Sequence, residues 1–297
     1  SMTKATTGPL PSGQGIRASI APQNGVDSRG KANKSNVRQE DPVAKLRPKQ
    51  PVIVHLGDTI LNICKLLSSK RGDAAVIVDS DGNLSGIITD TDITRKVVAK
   101  NLDPAATLVD IIMTPNPKCV SMRDSAADAM AMMVENHFRH LPVLEGQKGV
   151  VGLLDIAKCL NDAITKLEKF ESTSEDLSSN LLLDTIKVKG VHAVNLQALL
   201  APLLKEALGS KSPASLRTLL EGSPATIVEP STSVLEASVL MAEGRKAALI
   251  VDEGKLIGIF GFKDMMTRVI AQELPLDITE VSHVMTPNPE FVSPDIT

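Results

Sequence analysis

The sequence predicts an α+β protein built from repeated strand, helix, strand, strand, helix units. Two observations carry the prediction. Met113-Thr114-Pro115-Asn116-Pro117 recurs as Met285-Thr286-Pro287-Asn288-Pro289, and Gly86-Ile87-Ile88 and Asp92 recur as Gly258-Ile259-Phe260 and Asp264 at the same offset. Ala75-Val76-Ile77-Val78-Asp79 matches Ala248-Leu249-Ile250-Val251-Asp252 one residue further along, so the second copy has lost a residue. The loss falls in the segment around Asp81-Gly82 and Glu253-Gly254, where a hairpin turn belongs and length changes are tolerated.

A smaller unit nests inside this duplication. Val52-Ile53-Val54 reads as a short strand, and Asp58 or Thr59 can cap a helix whose Ile60, Ile63, Cys64 and Leu67 share one face. Residues 74–79 and 84–88 are apolar strands around the Asp81-Gly82 turn, and 90–99 reads as a closing helix. The second unit runs over 118–161, with helices at 126–136 and 155–161 and strands at 140–144 and 150–153. A third covers about 223–271, and a fourth has only begun at Glu290-Phe291-Val292. The predicted organisation is a disordered polar tail at 1–48, a first pair of units at 49–162, a linker with helices at 163–221, and a second pair at 222–297, truncated in its last unit. Leucine stripes at Leu196, Leu199, Leu200, Leu203 and Leu204, and at Leu216, Leu219 and Leu220, predict the linker helices.

Composition narrows the function. With 42% apolar residues the chain can bury a substantial core. A net charge of −3, no Trp, no Tyr and five Phe argue against nucleic acid as a partner. Three cysteines without Cys-x-x-Cys spacing predict buried free thiols in a reducing, cytoplasmic compartment. The visible chain has no apolar run of the ~20 residues needed to cross a bilayer. His55, His192 and His283 stand alone, so no metal site is expected. No nucleophile-and-base or paired-carboxylate constellation emerges, which argues against an enzyme and a catalytic cofactor.

Gly86-Ile87-Ile88-Thr89-Asp90-Thr91-Asp92, Phe138-Arg139-His140-Leu141-Pro142-Val143 and the paired Met-Thr-Pro-Asn-Pro segments resemble the cystathionine β-synthase (CBS) domain. Together with Leu153-Leu154-Asp155-Ile156-Ala157-Lys158-Cys159-Leu160, they are similar to eukaryotic proteins with two CBS pairs followed by a Phox-and-Bem-type interaction domain, which this sequence does not contain. The resemblance implies tandem CBS domains that pair through their sheets, with clefts that hold adenosine derivatives. It also implies that the residues three and six after the motif glycine meet the ribose and its phosphate. After Gly86 these are Thr89 and Asp92; after Gly152 they are Asp155 and Lys158, a poor match; after Gly258 they are Gly261 and Asp264, a partial one.

Asp92 can accept from both ribose hydroxyls, and Arg95 and Lys96 lie one helical turn further on, within reach of phosphate. Across the cleft the resemblance places Arg139 and His140 against the same phosphates. Val52, Val54 and Ile88 would supply an apolar slot for adenine. Thr89 and Asp92 also suit a helix cap, which needs no ligand. The expected function is a regulatory module for AMP, ADP or ATP that acts on a partner or C-terminal domain and forms a homodimer through its CBS units. The competing reading is a ligand-independent dimerisation scaffold with vestigial clefts.

Overall fold

In the computed structural model the residues described are 41–146, 149–172, 216 and 224–294. The expected tail lies outside them up to residue 40, as do nearly all of the linker and its leucine stripes.

Three units of the expected kind are present. In the first, β1 (Val52–His55) runs parallel to β2 (Ala74–Val78), joined by α1 (Ile60–Lys70). β2 pairs antiparallel with β3 (Leu84–Thr89), followed by α2 (Asp90–Lys96), α3 (Val109–Ile112) and β4 (Thr114–Pro115), and the sheet order is β1-β2-β3-β4. The second unit holds β5 (Val120–Ser121), α4 (Ala126–Glu135), β6 (His140–Leu144), β7 (Val150–Asp155) and α5 (Ile156–Ser172). The third holds β8 (Thr226–Val228), α6 (Val234–Gly244), β9 (Ala248–Asp252), β10 (Lys255–Phe260), α7 (Phe262–Asp264), α8 (Val281–Val284) and β11 (Thr286–Pro287).

The repeat is kept at the level of single hydrogen bonds. Thr59, Ser125 and Ser233 each cap the first long helix of their unit, accepting from Asn62 N, Asp128 N and Glu236 N at 3.2–3.3 Å. Thr59, rather than Asp58, is the cap. The lost residue is where the sequence placed it: Glu253 and Gly254 form a two-residue turn with φ of 46° and 79°, whereas the first unit spans Asp79–Asn83.

Gly86 and Gly258 are tied to the Met-Thr-Pro motif by contact. A Cβ on Gly86 would lie 2.4 Å from Met113 Sδ, and one on Gly258 would lie 2.1 Å from Met285 Sδ. β4 and β11 pair antiparallel with β3 and β10 at these glycines, and the methionine side chain just before each edge strand packs over the glycine Cα. Gly86→Val should cost about 1–3 kcal/mol by overpacking, read as a lower urea midpoint with an unchanged slope.

Several boundaries differ from the sequence reading. The tail ends earlier than residue 48, because Val43 is fully buried in the core of the second unit. Its neighbours bind that unit too: Val43 N donates to Asp124 O, and Lys49 and Leu153 exchange both backbone hydrogen bonds at 2.9–3.0 Å. Residues 42–49 thus do for the second unit what 108–115 do for the first. The closing helix predicted at 90–99 breaks after Lys96 into a short 3-10 turn, Val98–Lys100. α5 extends well past residue 161, and the expected fourth-unit strand at 290–292 does not form, Phe291 being largely exposed. Of the cysteines, Cys64 and Cys159 are buried but Cys119 is exposed, which corrects the expectation that all three are buried. Burial pushes the Cys64 thiol up to about 12. A thiol reagent under native conditions should therefore modify Cys119 fast and leave Cys64 unreacted until the protein unfolds.

The first unit is packed on both faces. Its sheet lies against the sheet of the second unit through Ala74, Val76, Val78 and Ile87 on one side and Leu144, Val150 and Leu153 on the other. Its helices share the largest core with the third unit: Ile60, Ile63, Leu67, Ile93 and Val98 meet Val234, Met241, Met265 and Val269. Pairing of the first two units through their sheets was expected; the helical contact with the third was not.

Candidate functional site

A cavity of about 610 Å³ opens where the first unit meets the second. Ile87, Thr89, Asp90, Thr91, Asp92 and Thr114 line it from the first unit; Asn136, His137, Phe138, Arg139 and His140 line it from the second; Asn116, Pro117 and Lys118 cross between. Thr89 and Asp92, chosen from their spacing after Gly86, share this cavity with Arg139 and His140.

The end of β3 and the start of α2 fix the first pair. Thr89 is the N-cap of α2: its Oγ1 accepts from Asp92 N at 3.3 Å, and Asp92 Oδ2 accepts from Thr89 N at 3.1 Å and from Thr89 Oγ1 at 2.9 Å. Asp92 Oδ1 meets Lys96 Nζ at 2.9 Å. The capping box foreseen as an alternative to ligand binding is therefore present. Thr89 N, Thr89 Oγ1 and Lys96 Nζ together engage three of the roughly four lone-pair positions of the carboxylate and leave capacity for one hydroxyl donor.

Arg139 is held in a cluster. Its guanidinium donates to both carboxylate oxygens of Asp155 at 3.0–3.1 Å and lies 2.9 Å from Asp73 Oδ2, linking the second unit to the first. Lys49 adds a 3.6 Å contact to Asp155. His140 is buried, and its Nε2 has only a long 3.4 Å approach to Asp73 Oδ1, without hydrogen-bond alignment. Asp73, His140 and Asp155 could together offer three metal-ligand atoms, but the Arg139 guanidinium already occupies both carboxylates.

These contacts set the protonation states. The contact with His140, then the charges of His140 and Arg139, hold the Asp73 carboxyl well below the usual carboxylate range. Burial alone would raise Asp155, but the Arg139 hydrogen bonds and charge outweigh it and leave the group lowered. Asp90 moves the other way, pushed up by its burial in the cavity wall, with Asp73 adding repulsion. A carboxyl lowered in the folded state contributes stability that is present above its unfolded value of about 4 and lost as pH falls through and below it. The gap in thermal midpoint between the protein and Asp73→Asn should accordingly be largest near neutral pH and close on acidification.

The other predicted residues fall elsewhere. Val54 and Ile88 are wholly buried in the core beneath the helices, Val52 packs against that core, and none of them lines this cavity. Strand alternation is the reason: Ile87, one residue away, faces the cavity instead. Lys96 is turned to Asp92 and to Ile112 O, and neither it nor Arg95 reaches the cavity wall. In the third unit Asp264 caps Gly261 N at 2.9 Å and lies 3.4 Å from Arg268 Nε and from Thr286 Oγ1, apart from this cavity. Lys158, at the poorly matched second position, donates to Arg47 O.

Phe138, Lys118 and Thr114 line the cavity but were not among the residues singled out from the sequence. Thr114 lies in the repeated Met-Thr-Pro-Asn-Pro segment and Phe138 in the segment that carries the family resemblance, whereas nothing in the sequence singled out Lys118.

The CBS domain model matches residues 43–99, 108–162 and 222–271, more than half of the sequence. The chain belongs to the CBS-domain family. Its CBS units are similar to those of the CBS domain-containing proteins CBSCBSPB3 of Arabidopsis thaliana (35% identity over 98% of this chain and 52% of the relative) and CBSCBSPB2 of the same plant (37% over 87% and 46%). The meiotically up-regulated gene 70 protein of Schizosaccharomyces pombe is 29% identical over 80% of this chain and 35% of its own length. The chain thus spans about half the length, or less, of these relatives. Among solved structures, protein MJ1225 of Methanocaldococcus jannaschii shares the fold, with a TM-score of 0.51 over 84% of this CBS chain and 83% of that one, at 13% identity. Among the described residues no helix is long and apolar enough to cross a membrane.

Proposed function

We propose that this CBS chain is a regulatory module that binds an adenine nucleotide, AMP, ADP or ATP, between its first two units and passes the binding event to the third unit and to a partner. The observation that carries the reading is the shared cavity: Thr89 and Asp92 of one unit face Lys118, Phe138 and Arg139 across it. Asp92 would accept from a ribose hydroxyl, Thr89 would meet the sugar–phosphate junction, and Lys118 the phosphate. Phe138, Ile87 and Pro117 offer adenine the apolar and aromatic surface first sought in Val54 and Ile88.

Transmission has a physical route. α2, which carries Asp92, packs against α6 of the third unit and shares its core. A ligand that favours one spacing of the first two units would shift that contact by its difference in affinity for the two arrangements. A homodimer would need surfaces other than the helix face of the first unit, since the third unit already covers it. The capping box at Thr89 and Asp92 supports the second reading, a ligand-independent scaffold, because it accounts for both residues without a nucleotide.

Thermal unfolding separates the two. A ligand at about 100 times its dissociation constant adds about 2.7 kcal/mol, enough to move the midpoint by a few degrees. The sensor reading expects that shift with an adenine nucleotide and not with GTP; no shift with any of AMP, ADP or ATP would favour the scaffold.

A further inference from the structure

We infer that the cavity between the first two units takes adenosine derivatives with no more than one phosphate and discriminates against polyphosphates. The inference rests on the nucleotide reading above and narrows its ligand class.

The cavity wall is not the cationic surface that a chain of phosphates requires. Arg139, one of the residues expected from the sequence to meet phosphate, is already compensated by two carboxylates, Asp155 at 3.0–3.1 Å and Asp73 at 2.9 Å. Two further carboxylates, Asp90 and Asp92, belong to the lining itself. Lys96 is spent on Asp92, and Lys49 approaches Asp155. The four acids Asp73, Asp90, Asp92 and Asp155 are thus matched by Lys49, Lys96, Arg139 and Lys263, whose charge acts on Asp73, and Lys118 is left over.

Among the described lining residues, Lys118 is the cation without a carboxylate partner; its Nζ donates to the amide oxygen Asn136 Oδ1 at 2.6 Å. One phosphate can therefore find one uncompensated positive charge. A second and third would find none, unless Arg139 abandoned both carboxylates and left Asp155 only its 3.6 Å contact with Lys49 and Asp73 only the long approach of His140. Asp90 sharpens the discrimination. Its carboxylate is half-buried in the wall, its Oδ1 accepting from Thr91 N at 2.7 Å, where low solvent screening lets it repel added phosphate charge.

Calorimetric titration of the chain with adenosine, AMP, ADP and ATP, in magnesium-free buffer, tests this. The expected order is AMP or adenosine tightest, with ATP at least about tenfold weaker than AMP, a difference of about 1.4 kcal/mol. Asp90→Asn should narrow the AMP-to-ATP ratio by strengthening ATP. Lys118→Ala should lower the preference for AMP over adenosine. ATP binding as tightly as AMP would overturn the inference and leave the nucleotide reading standing. Binding of none of the four would overturn both. If Asp90→Asn folds with the same midpoint and leaves the ratio unchanged, the electrostatic basis is wrong.

Discussion

Val76→Asp should separate the first two units and remove the cavity with them. Val76 is fully buried where the two sheets meet, among Ala74, Val78, Ile87, Val150 and Leu153. A carboxylate there would be desolvated with no cation among those neighbours, and an uncompensated buried charge costs about 3–5 kcal/mol. The expected result is a loss of several degrees or more in the unfolding midpoint and no nucleotide binding. The internal duplication supplies its control. Leu249 is the repeat counterpart of Val76, on β9, and its sheet face is only partly covered. Leu249→Asp in the same chain should therefore cost far less and leave binding intact. Equal effects of the two substitutions would mean that the sheet pairing does not create the site.

Asp92→Ala should have the largest effect on binding itself. A hydrogen bond to a charged group contributes about 1.5–3 kcal/mol, which corresponds to a loss of about tenfold to a hundredfold in affinity. The same change also opens the capping box of α2, at about 1 kcal/mol of stability. The two roles separate in Asp92→Asn. An amide oxygen can still accept from Thr89 N, so stability should largely return, whereas the charge that strengthens the ribose hydrogen bonds is gone and affinity should stay low. Recovery of both would assign Asp92 to the cap alone.

The parts of this molecule that could be read from sequence are those fixed by local pattern. Cap residues, the apolar face Ile60, Ile63, Cys64 and Leu67, the strand pairs and the shortened turn at Glu253-Gly254 each depend on a few adjacent residues. The Thr89 and Asp92 pair was legible for the same reason. What escaped depended on contacts distant in sequence. Residues 42–49 join the second unit across the whole first unit, and only Val43 and Leu46 keep the apolar spacing that would have betrayed them. The choice of Ile88 over Ile87 was an error of strand parity, since both residues of a buried strand are apolar and the pattern no longer says which side faces the cavity. Arg139, expected at the cleft, lines the cavity, but its capture by Asp73 and Asp155 depends on side chains from two units and has no signature in spacing.

The most direct test of the account is a crystal structure of this chain grown with AMP. The account predicts density for one nucleotide between the first two units, with the ribose against Asp92, the phosphate toward Lys118 and the base on Phe138. Density only beside Asp264 in the third unit, or none with the chain otherwise folded as described, would contradict it.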